Sequence, residues 1–150
     1  PVSEAQSILD AYFAAFPNVH AYMESTVEQA RERGYTETLF GRRRPIPELQ
    51  NANFRIRQAG ERQAMNAGIQ GLAADIFKVA LVRVDRALQE SKGASRLVLQ
   101  VHDEVVVEVA DSERDVVGGT VIDIMTHAAE LNVPLDVNFS WGESWGAAKS

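Results

Sequence analysis

The sequence predicts a mixed fold in which helices pack on one side of a small antiparallel sheet, and three observations predict it. Leu97–Val101 and Val105–Val109 are apolar, β-branched runs separated only by His102-Asp103-Glu104, which is the pattern of two paired strands. Ile69, Leu72, Ala73, Ile76, Phe77, Ala80, Leu81, Val84 and Leu88 recur at i, i+3, i+4 spacing. That spacing gives a helix of roughly 30 Å whose apolar stripe can underlie a sheet. Leu135, Val137, Phe139 and Trp141 alternate with Asp136, Asn138 and Ser140, the pattern of a strand with one wet face.

The totals set bounds. With 150 residues, 45% hydrophobic and 24% charged, the chain is long enough for a domain with a real core. It has no cysteine, which removes disulfides and thiolate metal sites and fits a cytosolic setting. No long uncharged apolar run suggests a membrane role. The chain starts at Pro1, so we expect it to be cut from something larger. A net charge of −6 argues against binding nucleic acid by bulk electrostatics, but the distribution is uneven. Six arginines face Glu48 and Glu61 between Arg42 and Arg62, whereas ten acidic residues face Arg114 and Lys149 from Asp103 onward. Such a division can set phosphates on the first segment and metals at the edge of the second; a solvated surface of uneven charge is the plainer alternative.

In chain order, a first helix is expected from about Ser3, its cap, to Phe16, and a second from about Asn18 to Arg33, stopped by Gly34. Both read as structural. Tyr35–Pro47 reads as a short hairpin: Thr36, Thr38 and Phe40 favour a strand, and Gly41 permits a tight reversal into Arg42-Arg43-Arg44. Phosphate contact and a solvated charge run are both open for these arginines. Asn53–Met65 is expected to be helical, with Gly68 and Gly71 marking a bend before the long apolar stripe. Arg62, Asn66 and Gln70 stand at steps of four, so an unbroken helix would carry them on one stripe. They could reach minor-groove acceptors, or Asn66 and Gln70 could cap the bend. Near the end, Ser112 with Asp115 suggests a capping box, followed by a helix to about Leu131 that Gly118-Gly119 weakens.

The triplet between the two strand runs is poor turn chemistry, because two adjacent carboxylates repel and neither glycine nor proline eases the reversal. A local rule broken beside strong strands points to a functional reason. Carboxylates on a rigid hairpin suit Mg²⁺, which takes one or two of them and fills its other positions with water and phosphate oxygens. Solvated loop residues are the bland alternative for Asp103 and Glu104.

Leu99-Gln100-Val101-His102-Asp103-Glu104 before a hydrophobic strand resembles the last catalytic motif of family A DNA polymerases. Gly34-Tyr35 with Thr38-Leu39-x-Gly41-Arg42-Arg43, and Glu61-Arg62-x-x-x-Asn66-Ala67-x-x-Gln70-Gly71-x-Ala73-Ala74-Asp75-Ile76, are similar to two further motifs of that family in the same order. Gly142-Glu143-Ser144-Trp145 also resembles the family's ending. The departures are Pro45, where many relatives carry an aromatic and which bears on the strand pairing; Gly68, where proline is frequent; and Leu72, where a small residue is usual.

The resemblance implies an α+β fold: residues 1–50 as the end of a fingers subdomain (two helices and an arginine-rich hairpin) and 51–150 as the C-terminal part of a palm. It implies transfer of a deoxynucleotide to a primer 3′-hydroxyl with two Mg²⁺ ions in the complete enzyme, acting on primer–template DNA and deoxynucleoside triphosphates. Asp103 and Glu104 are then the catalytic and metal-binding residues, with Asp103 the direct ligand. His102, Gln70, Asn66, Arg62, Arg42 and Arg43 contact nucleic acid. The parent would be a cytoplasmic, nucleoid-associated bacterial enzyme. The family's upstream metal-binding aspartate and its nucleotide-holding fingers helix have no counterpart here, so the isolated chain is expected to be inactive. A non-catalytic primer–template binding module and a metal-dependent nuclease are the competing readings.

Overall fold

The computed structural model describes residues 1–149. Its packing divides it into two compact units, 1–73 and 74–150. The first unit opens with two helices, α1 (Val2–Ala15) and α2 (Pro17–Arg33). Ser3 lies inside α1 and does not cap it; its carbonyl accepts from Ser7 Oγ at 3.1 Å. Pro17 stands in the first turn of α2, and Gly34 ends that helix in the left-handed region at φ 80°, as the sequence reading expects.

A short antiparallel hairpin follows, β1 (Tyr35–Glu37) with β2 (Arg43–Pro45), registered Tyr35↔Pro45, Thr36↔Arg44 and Glu37↔Arg43. Pro45 leaves this pairing intact because it closes the ladder at its last position. Beyond it, the Ile46 amide donates to Gly34 O at 2.9 Å. Fully buried Ile46 and buried Leu49, on the turn after β2, pack with Val27 and Ala30 of α2 and with Ala64. This core fixes the arginine strand against its neighbours.

One unbroken helix, α3 (Phe54–Glu90, 37 residues), replaces the expected pair with a bend. Its glycines serve close packing instead of a break. A β-carbon at Gly60 would meet Glu48 Cβ at 2.9 Å, one at Gly68 would meet Tyr22 Oη at 2.7 Å, and one at Gly71 would meet Thr38 Cγ2 at 2.7 Å. A glycine inside a helix costs about 1 kcal/mol relative to alanine.

In the second unit, β3 (Arg96–Val101) and β4 (Glu104–Glu108) form the hairpin expected for residues 97–109. The register shifts between Leu97 and Leu99, a bulge at Val98. Helices cover one face of the hairpin. Leu97, Val107 and Val109 pack with Val84 and Leu88 of α3 and with Val117 and Val121 of α4 (Arg114–Thr126). The other face is open, with Val98 48% and Leu99 43% exposed, so helices lie on one side of this sheet as the sequence predicts.

Three further expectations are corrected here. α4 ends at Thr126 and not near Leu131. Ser112 does not cap it, since residues Asp111–Glu113 form a turn of 3-10 helix and no side chain caps its first turn. Residues 135–141 form no strand; among the described residues the sheets are the two two-stranded pairs alone. The alternation there reflects packing on a helix. Phe139 and Trp141 meet edge to face at 4.9 Å and lie over Gly118, whose missing β-carbon would sit 3.3 and 3.2 Å from them. Arg114 stacks above Trp141 at 4.6 Å.

Glu113 has a task that the sequence does not reveal. Its carboxylate accepts from Ser95 Oγ at 2.6 Å, Ala94 N at 2.9 Å and Ser95 N at 3.1 Å, pinning the segment that leads into β3. These bonds, that of the Ser95 hydroxyl first, hold its pKa below the ordinary carboxylate value. A depressed pKa in the folded state contributes stability that is present above the unfolded value, about 4.3, and lost as pH falls through the folded one. Glu113→Gln is therefore expected to destabilise the chain at neutral pH. The gap to the unsubstituted chain should close in urea titrations as pH falls from about 4.3 through the folded value.

Candidate active site

The site begins with the β3–β4 turn. Val101 pairs with Glu104, so the tip is the two residues His102-Asp103, and Glu104 is already the first residue of β4. A two-residue reversal needs positive φ, and His102 provides it at φ 52°. This answers the turn problem posed by the sequence, in which no glycine supplies that conformation. His, Asn and Asp tolerate the left-handed region better than most side chains, and the His102 carbonyl is tied by Gln100 Nε2 at 2.7 Å. Backbone strain of this kind persists where surrounding structure over-determines it and is concentrated at functional sites. Here the determinants are the β ladder and the helices under it.

His102 and Asp103 are exposed at the tip, and Glu104 is half-buried beside them. The Glu104 carboxylate is engaged on both oxygens: Lys149 Nζ lies 2.9 Å from Oε1, and Trp145 Nε1 donates to Oε2 at 3.3 Å. The Lys149 bond is the main cause holding its pKa below the ordinary value. Asp103, beside it, is exposed and is the turn's other carboxylate. No group of three or more His, Cys, Asp or Glu side chains that could hold a metal ion occurs among the described residues. Asp103 is suited to Mg²⁺, as an exposed oxygen donor on a rigid turn, but a complete coordination shell needs ligands beyond this hairpin.

The first unit holds the other predicted residues. Arg42 and Arg43 line one open cavity of about 440 Å³ together with Gln70, Arg44, Thr36 and Thr38. Gly71 makes that juxtaposition possible, because α3 and Thr38 approach too closely for any side chain there. The loop between β1 and β2 is organised by Thr38, whose Oγ1 accepts from Phe40 N at 3.3 Å and Arg42 N at 3.2 Å, with Gly41 at φ 81°. Arg43 is held by Glu37 at 2.7 Å and lies over the Tyr35 ring at 4.8 Å, while Arg44 reaches Gln63 at 3.4 Å. Asn66 and Arg62 are exposed about one and two turns before Gln70 on the same unbroken helix. The charge run is therefore organised around a concave surface. Arg44 and Thr38 extend the predicted set, and Lys149 and Trp145 join the hairpin; the arginine run and the Gly-Glu-Ser-Trp ending were the available signals.

A family model described as DNA polymerase family A matches residues 1–147. The chain belongs to that family. Among family A relatives it is 52% identical over 145 residues to DNA polymerase I of Mycobacterium tuberculosis, covering 97% of this chain and 16% of that protein. It is 47% identical over 146 residues to DNA polymerase I of Bacillus subtilis, again over 97% of the chain and 17% of the relative. A solved structure of the polymerase domain of Pol1 from M. smegmatis, in complex with DNA primer–template and dNTP, aligns at a TM-score of 0.95 and 45% identity. That alignment covers 100% of this chain and 26% of the other. The chain thus spans about a sixth of the length of its curated family A relatives. No helix among the described residues is long and apolar enough to cross a membrane.

Proposed function

We propose that the chain is the C-terminal part of a bacterial, cytoplasmic DNA-directed DNA polymerase that extends a primer 3′ end with deoxynucleoside triphosphates. Residues 1–50 are the end of its fingers subdomain and 51–150 the C-terminal part of its palm. The single observation that carries this is the strained His102-Asp103 turn on a braced hairpin in a chain of family A. Support for DNA as partner comes from the relative solved with primer–template and dNTP.

Under this reading Asp103 is the ligand that the chain contributes to a two-Mg²⁺ centre, with Glu104 acting beside it. Bound Mg²⁺ would supply charge stabilisation for phosphoryl transfer. His102 stands next to the primer terminus and positions it. The cavity of Arg42, Arg43 and Gln70 grips the primer–template, the arginines as cationic forks for phosphate oxygens and Gln70 as an amide able to meet base acceptors. Arg62 and Asn66 continue that track along α3.

A primer-extension assay on the complete polymerase and on the isolated chain tests this. The complete enzyme is expected to add only the templated nucleotide, and the isolated chain none, because one exposed carboxylate cannot assemble a two-metal centre alone. Cleavage of DNA without extension by the complete protein would replace the polymerase reading with a nuclease one.

A further inference from the structure

We propose that Trp145 and Lys149 are positioning residues for the catalytic turn, holding the Glu104 carboxylate and through it the placement of Asp103. The proposal rests on the polymerase reading of Asp103 and concerns residues to which that reading gives no role. Glu104 is adjacent to Asp103 and opens β4, so whatever fixes its side chain fixes one end of the two-residue turn. Each of its oxygens has one partner, Lys149 Nζ on one and Trp145 Nε1 on the other. The two partners also hold each other, since Lys149 Nζ lies 4.9 Å over the Trp145 ring.

The segment that brings them there has its own local logic. Trp145–Ala148 is a single helical turn, α5, capped by Ser144, whose Oγ accepts from Ala147 N at 3.3 Å. Gly142 lets the chain fold back over it, because a β-carbon there would collide with the Ala148 backbone nitrogen. The Gly-Glu-Ser-Trp ending is thus a clasp whose tryptophan and following lysine close on the hairpin. A lone ion pair as exposed as this one, 52% and 43%, contributes little to stability. Its consequence is geometric: a residue next to a reacting carboxylate must be held to a fraction of an ångström, and small misplacements slow the chemistry. With both oxygens engaged, Glu104 acts here as an anchor and not as a ligand of Mg²⁺.

The test uses the complete polymerase with Lys149→Ala, Lys149→Arg, Trp145→Phe and Glu104→Gln. Lys149→Ala and Trp145→Phe are expected to lower kcat for incorporation about tenfold, the usual scale for partners of ligand residues, with KM for nucleotide and Kd for DNA unchanged. Lys149→Arg should restore most of the loss. The double variant Glu104→Gln/Lys149→Ala should lose no more than either single one, as members of one unit do. Without metal or DNA, amide hydrogen exchange at residues 102–104 should quicken in Lys149→Ala and return in Lys149→Arg. Additive losses, unchanged exchange, or a Mg²⁺ requirement raised by Glu104→Gln but not by Lys149→Ala would overturn the clasp. Asp103→Ala in the same enzyme keeps the two readings apart. If it leaves incorporation intact, the polymerase assignment of the turn fails; if it abolishes incorporation while the clasp variants behave as the parent, only the clasp fails.

Discussion

Asp103→Asn in the complete polymerase is expected to slow nucleotide incorporation by about a thousandfold or more, several kcal/mol of transition-state stabilisation. The substitution keeps the size and shape of the side chain and removes the charge that the proposed Mg²⁺ site requires. The turn itself should survive, because its geometry rests on the Val101–Glu104 pairing and the Gln100–His102 hydrogen bond, neither of which involves the Asp103 carboxylate. DNA affinity should change little, since an anionic side chain facing a polyanion contributes nothing favourable to ground-state binding. Single-turnover incorporation and an equilibrium DNA titration on the same preparation decide it. Near-normal turnover would remove Asp103 from the metal centre.

Gln70→Ala should act in the opposite sense. Its amide shares a cavity with Arg42, Arg43 and Arg44, where a strand's phosphates and base edges can be met together. Loss of one base contact is worth about 1–3 kcal/mol, so primer–template affinity should fall roughly tenfold to a hundredfold. Extension past a mismatch should suffer more than extension of a correct pair. The salt dependence of binding should stay as it is, because Gln70 carries no charge, whereas Arg42→Ala should reduce the slope of log K against log[salt] by about one phosphate contact. A Gln70→Ala enzyme with normal affinity and abolished turnover would reverse the roles of the two sites.

Much of this is legible in the sequence. Helical periodicity located α1, α2 and the start of α4 to within a few residues, because an apolar stripe reports on a helix wherever it is packed. Gly34 announced the end of α2, since only the left-handed region satisfies that cap at little cost. The two apolar runs fixed the β3–β4 hairpin, and motif resemblance pointed to the same family as the comparisons.

Tertiary structure decided the rest, for reasons that local rules cannot contain. Gly68 and Gly71 read as a bend, yet they serve an unbroken helix, because the demand for a missing side chain comes from Tyr22 and Thr38 far along the chain. Residues 135–141 alternate like a strand but find no ladder partner, and their aromatic rings settle on Gly118 instead. Glu113 spends its carboxylate on Ala94 and Ser95, and Glu104 meets Trp145 and Lys149 more than forty residues away. The sequence by itself determined α1, α2, the two hairpins and the place of Asp103 at the β3–β4 turn, since those follow from contacts within a turn or two. Which polar side chain is exposed for chemistry and which is already held was decided only when distant segments met, because a carboxylate's partners are set by proximity in space.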